Sequence, residues 1–393
     1  MISSLHAPES EIIKNYRFVF VTDDMGSITS LMKTIMPANS LNFWGGTAGC
    51  YTSQTFLSDY VARKLYNDND IIILSKFNHF IDDNNKILLE SLEQIRDKIK
   101  FIFCEASEEA SFSILDRVDE KDNNYNNLKK LMKIIDCYLY ESELLKDEVS
   151  LHFPESKGLF TRHPHSNCSN IFNPYSPIGF NDQNLKSNEV ILKEASKQHY
   201  KQIETINILG YMGRPKYCHN LTALNRCCYE LSHKLGRTVG FYSSNPGINN
   251  NFQMSQIVDF GLIHLYRFES NRIWYDHRSS NKILALWSLG IPCIFSKLPT
   301  YMNILKENNL DENKWSFKHS KEERFYNKNT HQYFHQCSLN EGSDLAEKVY
   351  SIVSDSYDFE IDRRSLFNAS YKYNPINIAW LYEEMFEFIL SND

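Results

Sequence analysis

The chain has no surplus of positive charge: 42 lysines and arginines stand against 49 aspartates and glutamates, a net of -7 over 393 residues. The global basic field that draws a protein to nucleic acid is missing, and no nucleic-acid partner is expected. Nowhere does an apolar run approach the roughly 18 residues of a membrane span. Residues 1–16 (MISSLHAPESEIIKNY) lack the apolar core of a signal peptide, so a cytoplasmic protein is expected. The nine cysteines are odd in number, irregular in spacing and never arranged as C-x-x-C. That excludes a disulfide framework and a zinc pattern; most should be small buried hydrophobes in a reducing compartment. Also absent are the G-x-S-x-G elbow, the H-E-x-x-H pair and the Walker loop, and the G-Y-M-G at 210–213 falls short of a dinucleotide fingerprint. Hydrolase, metalloprotease, NTPase and dehydrogenase chemistry thus lack their motifs.

What is present is enough for two hydrophobic cores, with 42% apolar and 13% aromatic residues over a length that suggests two domains. RFVFVT at 17–22 is an apolar, β-branched run followed by Asp23, Asp24, Gly26 and a helical pattern at 28–36. Further helices are predicted at 53–66, 84–98 and near 124–134, and strands at 70–74, 100–104, 137–140 and 158–161. Residues 42–51 (NFWGGTAGCY) read as a glycine-rich loop, either a long turn or a place where backbone approaches a ligand. Strands separated by helices imply a parallel sheet wound on both faces, with its ligand crevice beyond the carboxyl ends of the strands. Asp23, Asp24, Glu105 and the Arg162-His163-Pro164-His165 segment fall at such ends. The proline between the two histidines favours an extended backbone at His163. A metal shared by His163 and His165 is not expected; one histidine facing a crevice competes with two solvated loop histidines.

Residues 173–187 (NPYSPIGFNDQNLKS) carry no period and mark a linker. The expected division is an N-terminal domain at 1–173, a linker at 174–205, a C-terminal domain at 206–375 and a final helix at 376–393. The second domain opens with INILGY and Gly213-Arg214, with Lys216 just beyond. A helix at 221–235, a strand at 238–242, a polar loop at 243–251 and a strand at 261–265 follow. After these come helices at 301–306 and 343–354, separated by a charged stretch at 318–329. The last helix, 377–390 (NIAWLYEEMFEFIL), has acidic polar positions, which favours core or inter-domain packing over insertion into a membrane surface. Residues 278–299 (RSSNKILALWSLGIPCIFSKLP) are the focal stretch: Arg278, Ser279, Ser280, Asn281 and Lys282 collar the start of an apolar helix that feeds a buried strand. Unpaired N–H groups at a helix start, with hydroxyls and cations beside them, form an anion site. The same residues also suit an ordinary helix capped by Ser279 or Ser280.

Three segments give the chain a resemblance to the GT-B glycosyltransferases. Gly213-Arg214 with Lys216 resembles the motif that holds the donor's diphosphate in retaining members. Residues 280–284 (SNKIL) through 290–294 (GIPCI) look like the family's donor-site helix and strand. Residues 136–142 (DCYLYES) resemble the last strand of its first domain. Ala285 replaces the family's donor-binding glutamate, and His277 occupies the position eight residues before it. The resemblance implies two tandem Rossmann-like, doubly wound α/β domains facing a cleft. It also implies a nucleoside diphosphate sugar as donor, a saccharide or lipid-linked acceptor, no tightly bound cofactor and no metal. Gly213, Arg214, Lys216, Arg278, Ser279, Ser280, Asn281 and Lys282 would take the donor phosphates. Asp23, Asp24, Glu105 or His163 would supply a base from the first domain. Peripheral membrane association and oligomeric state stay open. Competing readings are a degenerate, non-catalytic sugar-nucleotide or glycan-binding protein, a sugar-nucleotide epimerase or phosphorylase of the same fold, and a phage-type DNA base glycosyltransferase.

Overall fold

The computed structural model describes residues 12–26, 30–82, 85–106, 123–164, 200–213, 221–244, 256–263, 268–269, 280–317, 324–327, 332–335, 339–375 and 377–391. The chain divides into two compact units. In the first, six strands form one sheet: β1 (Arg17–Thr22), β2 (Thr47–Thr52), β3 (Asp70–Leu74), β4 (Phe101–Glu105), β5 (Cys137–Tyr140) and β6 (Lys157–Phe160). All neighbours are parallel, in the order β2-β1-β3-β4-β5-β6. The order reverses between β1 and β3, which is the switch point of a doubly wound sheet. A π-helical turn at Leu31–Ile35 continues into α1 (Met36–Phe43); α2 (Lys86–Ile95), α3 (Asn123–Ile134) and α4 (Glu143–His152) are the other main helices of this stretch.

Part of the glycine-rich segment expected as a loop is strand β2, paired along its whole length with β1. Its threonines, Tyr51 and Cys50 suit a half-buried edge strand, and the preceding Gly45-Gly46 supplies the turn. Helix α4 had no counterpart among the elements read from the sequence. The predicted helix at 53–66 is a short helical turn at Ser53–Thr55 followed by a π-helical one at Phe56–Val61.

Asp70 fastens the amino edge of this sheet. It is fully buried and accepts hydrogen bonds from Arg17 Nε at 2.7 Å, from the backbone N–H of Asn67 at 3.0 Å and from the Tyr60 hydroxyl. Asp70→Ala strips partners from a buried hydroxyl and a partly buried guanidinium together, and is expected to cost about 3 kcal/mol. Urea denaturation measures this, and Asp70→Asn should recover part of the loss.

The second unit carries β7 (Ile208–Met212), β8 (Gly240–Ser244), β9 (Phe260–Ile263), β11 (Cys293–Ser296) and β12 (Ser316–Phe317), again all parallel, in the order β12-β11-β9-β7-β8. This sheet also reverses, between β7 and β9. Its helices include α5 (Leu221–Leu235), α6 (Asn281–Trp287), α7 (Leu339–Val353) and α8 (Ser356–Tyr371). The charged stretch near 318–329 enters a small antiparallel sheet in which β13 (Arg324–Asn327) pairs with β14 (Gln332–His335) and β14 with β10 (Phe268–Glu269). The paired aromatics of RFYN and QYFH suit strands; the surrounding Lys, Glu and Asn hid them.

The last helix, α9 (Ala379–Leu390), belongs to the first unit although it follows the second in sequence. Its Tyr382, Met385, Phe386 and Ile389 cover one face of the first sheet, the alternate residues Phe18, Phe20, Ile71, Ile73, Phe101, Phe103, Cys137 and Leu139. The period of two along each strand and the one-faced apolar stripe of the helix meet there. The N–H of Ala379 donates to Ser40 Oγ of α1 at 3.0 Å, fixing the start of the helix. No helix among the described residues is long and apolar enough to cross a membrane.

Candidate functional site

In each unit the polar side chains of interest gather at the carboxyl edge of the sheet. In the first, Glu105 ends β4, Glu141 follows β5, and Arg162 and His163 follow β6. Lys33, from the helical turn after β1, reaches the same place. Glu105 is 4% exposed and His163 3%. Glu105 Oε1 is bound both by Lys33 Nζ and by His163 Nε2, and Glu141 Oε1 lies 3.9 Å from the same histidine nitrogen. Arg162 Nη1 donates to the Glu141 carbonyl at 3.3 Å, with its guanidinium 4.5 Å from the centre of the Phe160 ring. His163 Nδ1 and Ser142 Oγ are buried with no hydrogen-bond partner among the described residues.

Burial alone would raise the Glu105 carboxyl, but the neighbouring His163 and Lys33 outweigh it and hold the group below the usual carboxylate range. A carboxyl whose pKa is lower in the folded chain stabilises it above the unfolded value of about 4.3. That stability is lost as pH falls through the lower folded value. Glu105→Gln should therefore melt below the parent protein at pH 7, and the gap should narrow as pH falls below about 4.3. Melting curves across that range test it.

The structure thus brings together two of the four predicted base candidates, Glu105 and His163. Asp23 and Asp24 are exposed residues of the turn after β1, where Asp24 Oδ1 accepts from the N–H of Gly26 at 2.7 Å. Lys33 and Glu141 were missed as site residues. Glu141 directly follows a parallel strand, the same signal that singled out Glu105. Lys33 has no such mark, since it meets Glu105 from 72 residues away in sequence. His165 lies outside the described residues. Among the described residues no group of three or more His, Cys, Asp or Glu side chains could hold a metal ion.

In the second unit, β7 is followed directly by Gly213, whose φ is +138°, a backbone conformation natural to glycine and strained for other residues. A Cβ there would stand 3.2 Å from Lys282 Nζ and 3.0 Å from the Tyr211 ring. Lys282, in the first turn of α6, donates to the Tyr211 hydroxyl at 2.8 Å and lies 4.4 Å from the ring centre. The ammonium is thereby set at the end of β7, an interior strand next to which this sheet's order reverses.

Ser280 occupies the N-cap position of α6, but its φ and ψ of -77° and -1° are helical and its side chain caps nothing. Ser280 Oγ and Asn281 Oδ1 are buried without a hydrogen-bond partner among the described residues. Of the two caps expected, Ser280 does not cap the helix, which starts with unused polar atoms, and Ser279 lies outside the described residues. Gly213, Ser280, Asn281 and Lys282 come together around the β7 end and the α6 start. Arg214, Lys216, Arg278 and Ser279 lie outside the described residues.

No protein-family model and no curated protein matches the chain. Among solved structures, an alpha-glucosyltransferase in complex with UDP and a 13-mer DNA containing an HMU base is similar over 95% of this chain and 99% of its own, with a TM-score of 0.53 and 12% identity. A glycosyltransferase from Rickettsia africae ESF-5 is similar over 96% of this chain and all of its own, with a TM-score of 0.50 and 10% identity. The pneumococcal O-GlcNAc transferase GtfA, solved with UDP and GlcNAc, aligns with 86% of this chain at a TM-score of 0.48 and 10% identity, and the chain spans 61% of its length. At such identities the likeness is one of fold: the chain has the two doubly wound α/β units of the GT-B fold.

Proposed function

We propose that the protein is a cytoplasmic glycosyltransferase that moves a sugar from a nucleoside diphosphate sugar to a saccharide or lipid-linked acceptor. One observation carries this reading: at the reversal point of the second sheet the Lys282 ammonium lies against the strained-for-others backbone of Gly213, and the helix that carries it starts with the unpartnered Ser280 and Asn281 oxygens. Ligands of open α/β sheets bind at such points. As the glycosidic bond to the donor breaks, negative charge grows on the departing diphosphate. A fixed ammonium and helix-start N–H groups stabilise that charge without waiting for solvent to reorganise. The Ser280 hydroxyl can donate to a phosphate oxygen, while Asn281 can turn its amide N–H₂ toward it. Arg214, Lys216, Arg278 and Ser279 are assigned to the same task by position in sequence.

The first unit is assigned the acceptor. Glu105 and His163 are engaged with each other and with Lys33, so they hold the carboxyl edge in shape. Asp23 and Asp24, exposed after β1, are assigned the proton of an acceptor hydroxyl.

A thermal-shift series with nucleoside diphosphates and nucleotide sugars, with and without Mg²⁺, tests the donor. A ligand at 100 times its Kd adds about 2.7 kcal/mol, which raises Tm by about 5–10 °C for a domain of this size. No shift with any nucleotide would sink the reading. A shift without turnover of the nucleotide sugar would instead favour the degenerate binding protein. The similar alpha-glucosyltransferase was solved with DNA, so salt-dependent retention on duplex DNA would redirect the acceptor to a base.

A further inference from the structure

The first unit contains a cavity of about 1040 Å³ at the amino edge of its sheet, the opposite edge from Glu105 and His163. This volume is at the upper end of small-molecule sites, typically about 300–1,000 Å³. Its floor is apolar, built from Phe101, Met132, Phe153, Leu159 and Ile389. Its polar rim is mainly basic, with Lys129, Lys133 and Lys157. Lys129 is held over the Tyr125 ring at 4.3 Å, whereas Lys133 and Lys157 are exposed. Two acids also line the space. Asp136 is already answered by Arg96 and by the N–H of Ile102 at 2.8 Å, which leaves Glu155 as the exposed carboxylate against three lysines. Phe388 of α9 also lines the cavity and is 59% exposed, an apolar ring left in water at its mouth.

An apolar floor with a cationic rim suits an amphiphile with an anionic head. We propose that this cavity binds a single alkyl chain bearing an anionic headgroup, with the chain against Phe101, Met132 and Leu159 and the head among Lys129, Lys133 and Lys157. The site is independent of the donor assignment, since none of its residues belongs to the second unit. It nevertheless shares three strands with the acid–base cluster. Phe101 begins β4 and Glu105 ends it; Cys137 begins β5 and Glu141 follows it; Lys157 begins β6, two residues before Leu159, and His163 follows it. At about 3.3 Å per residue, the two edges are separated by only about 13 Å of strand.

Calorimetric titration of the full chain with octyl phosphate, dodecyl phosphate, dodecyl maltoside and inorganic phosphate, all below micellar concentrations, tests the proposal. Dodecyl phosphate should bind one to one and at least tenfold more tightly than octyl phosphate, since each buried CH₂ is worth up to about fourfold in Kd. The paired change Lys129→Glu with Lys133→Glu should weaken dodecyl phosphate at least tenfold and leave dodecyl maltoside unaffected. In the unaltered protein, dodecyl phosphate should protect Lys133 and Lys157 from acetylation, a readout that does not depend on any variant folding. Inorganic phosphate binding as tightly as dodecyl phosphate would overturn the proposal, as would binding indifferent to the lysine changes. Attachment to anionic phospholipid vesicles with no affinity for the monomeric amphiphile would replace it with a membrane surface.

Discussion

Lys282→Ala is expected to lower affinity for a nucleoside diphosphate by about 10- to 100-fold, the loss of about 1.5–3 kcal/mol of charge-assisted hydrogen bonding. At a ligand concentration that stabilises the parent by about 2.7 kcal/mol, the variant would gain only about 0.4–1.4 kcal/mol. The comparison must be made on the ligand-induced shift and not on the bare Tm. Lys282 also donates to the Tyr211 hydroxyl, and the buried Tyr211 loses that partner in the variant. Lys282→Arg keeps the charge but places a planar group where a compact ammonium sits over the ring, so partial recovery is expected. A second route to the same site is Gly213→Val. It sets a β-branched side chain at a φ of +138° and brings its Cβ to 3.2 Å from the Lys282 ammonium, closer than ordinary van der Waals contact. Retention of the full ligand shift in Lys282→Ala would remove this end of β7 from the donor site.

Phe386→Ala should produce the largest loss of stability of any single change considered, about 3–5 kcal/mol. Its ring is fully buried, 5.2 Å from Phe18, 5.8 Å from Phe103 and 6.3 Å from Tyr16, so truncation empties the contact between helix and sheet. The neighbouring Phe388→Ala is the control: that ring is mostly in water, and its removal should change stability by no more than about 0.5 kcal/mol. Because the protein has two compact units, unfolding should be followed with probes in each. The loss is predicted for the transition of the first unit. An equal effect of the two substitutions would mean that α9 does not cover the sheet.

The elements most legible in the sequence are those whose environment is uniform. β1, β3 and β5 are buried along most of their length, so RFVFVT, DIIIL and CYLY announce themselves as apolar runs. Edge elements carry mixed signals. β2 is half-exposed and follows two glycines, and β13 and β14 lie in a charged stretch, so composition hid strands that pairing creates. Helix α8 was missed although it is 16 residues long, because its sequence SYDFEIDRRSLFNASY shows no single apolar stripe. Position after a strand singled out Glu105 and His163, which meet in the folded sheet. That rule cannot reveal which charges neutralise one another. The joining of Lys33, Glu105 and His163 is a property of the folded sheet and leaves no period in the chain. At the second site, Lys282 and Gly213 were legible, but Tyr211, which seats the lysine, looked like any aromatic strand residue.

The return of the last helix to the first sheet has a consequence for biosynthesis. The strands Phe18, Ile71, Phe103 and Leu139 belong to are translated long before Tyr382 and Phe386, which cover them. At about 5–20 residues per second, a ribosome that has finished β6 at Phe160 needs roughly 10 to 50 seconds more to complete α9. Throughout that interval one apolar face of the nascent sheet lacks its lid, while the second unit, contained between residues 198 and 371 apart from a short earlier piece, can already close. The domain begun first is the one completed last, and the first sheet is where a nascent chain of this protein would recruit a chaperone.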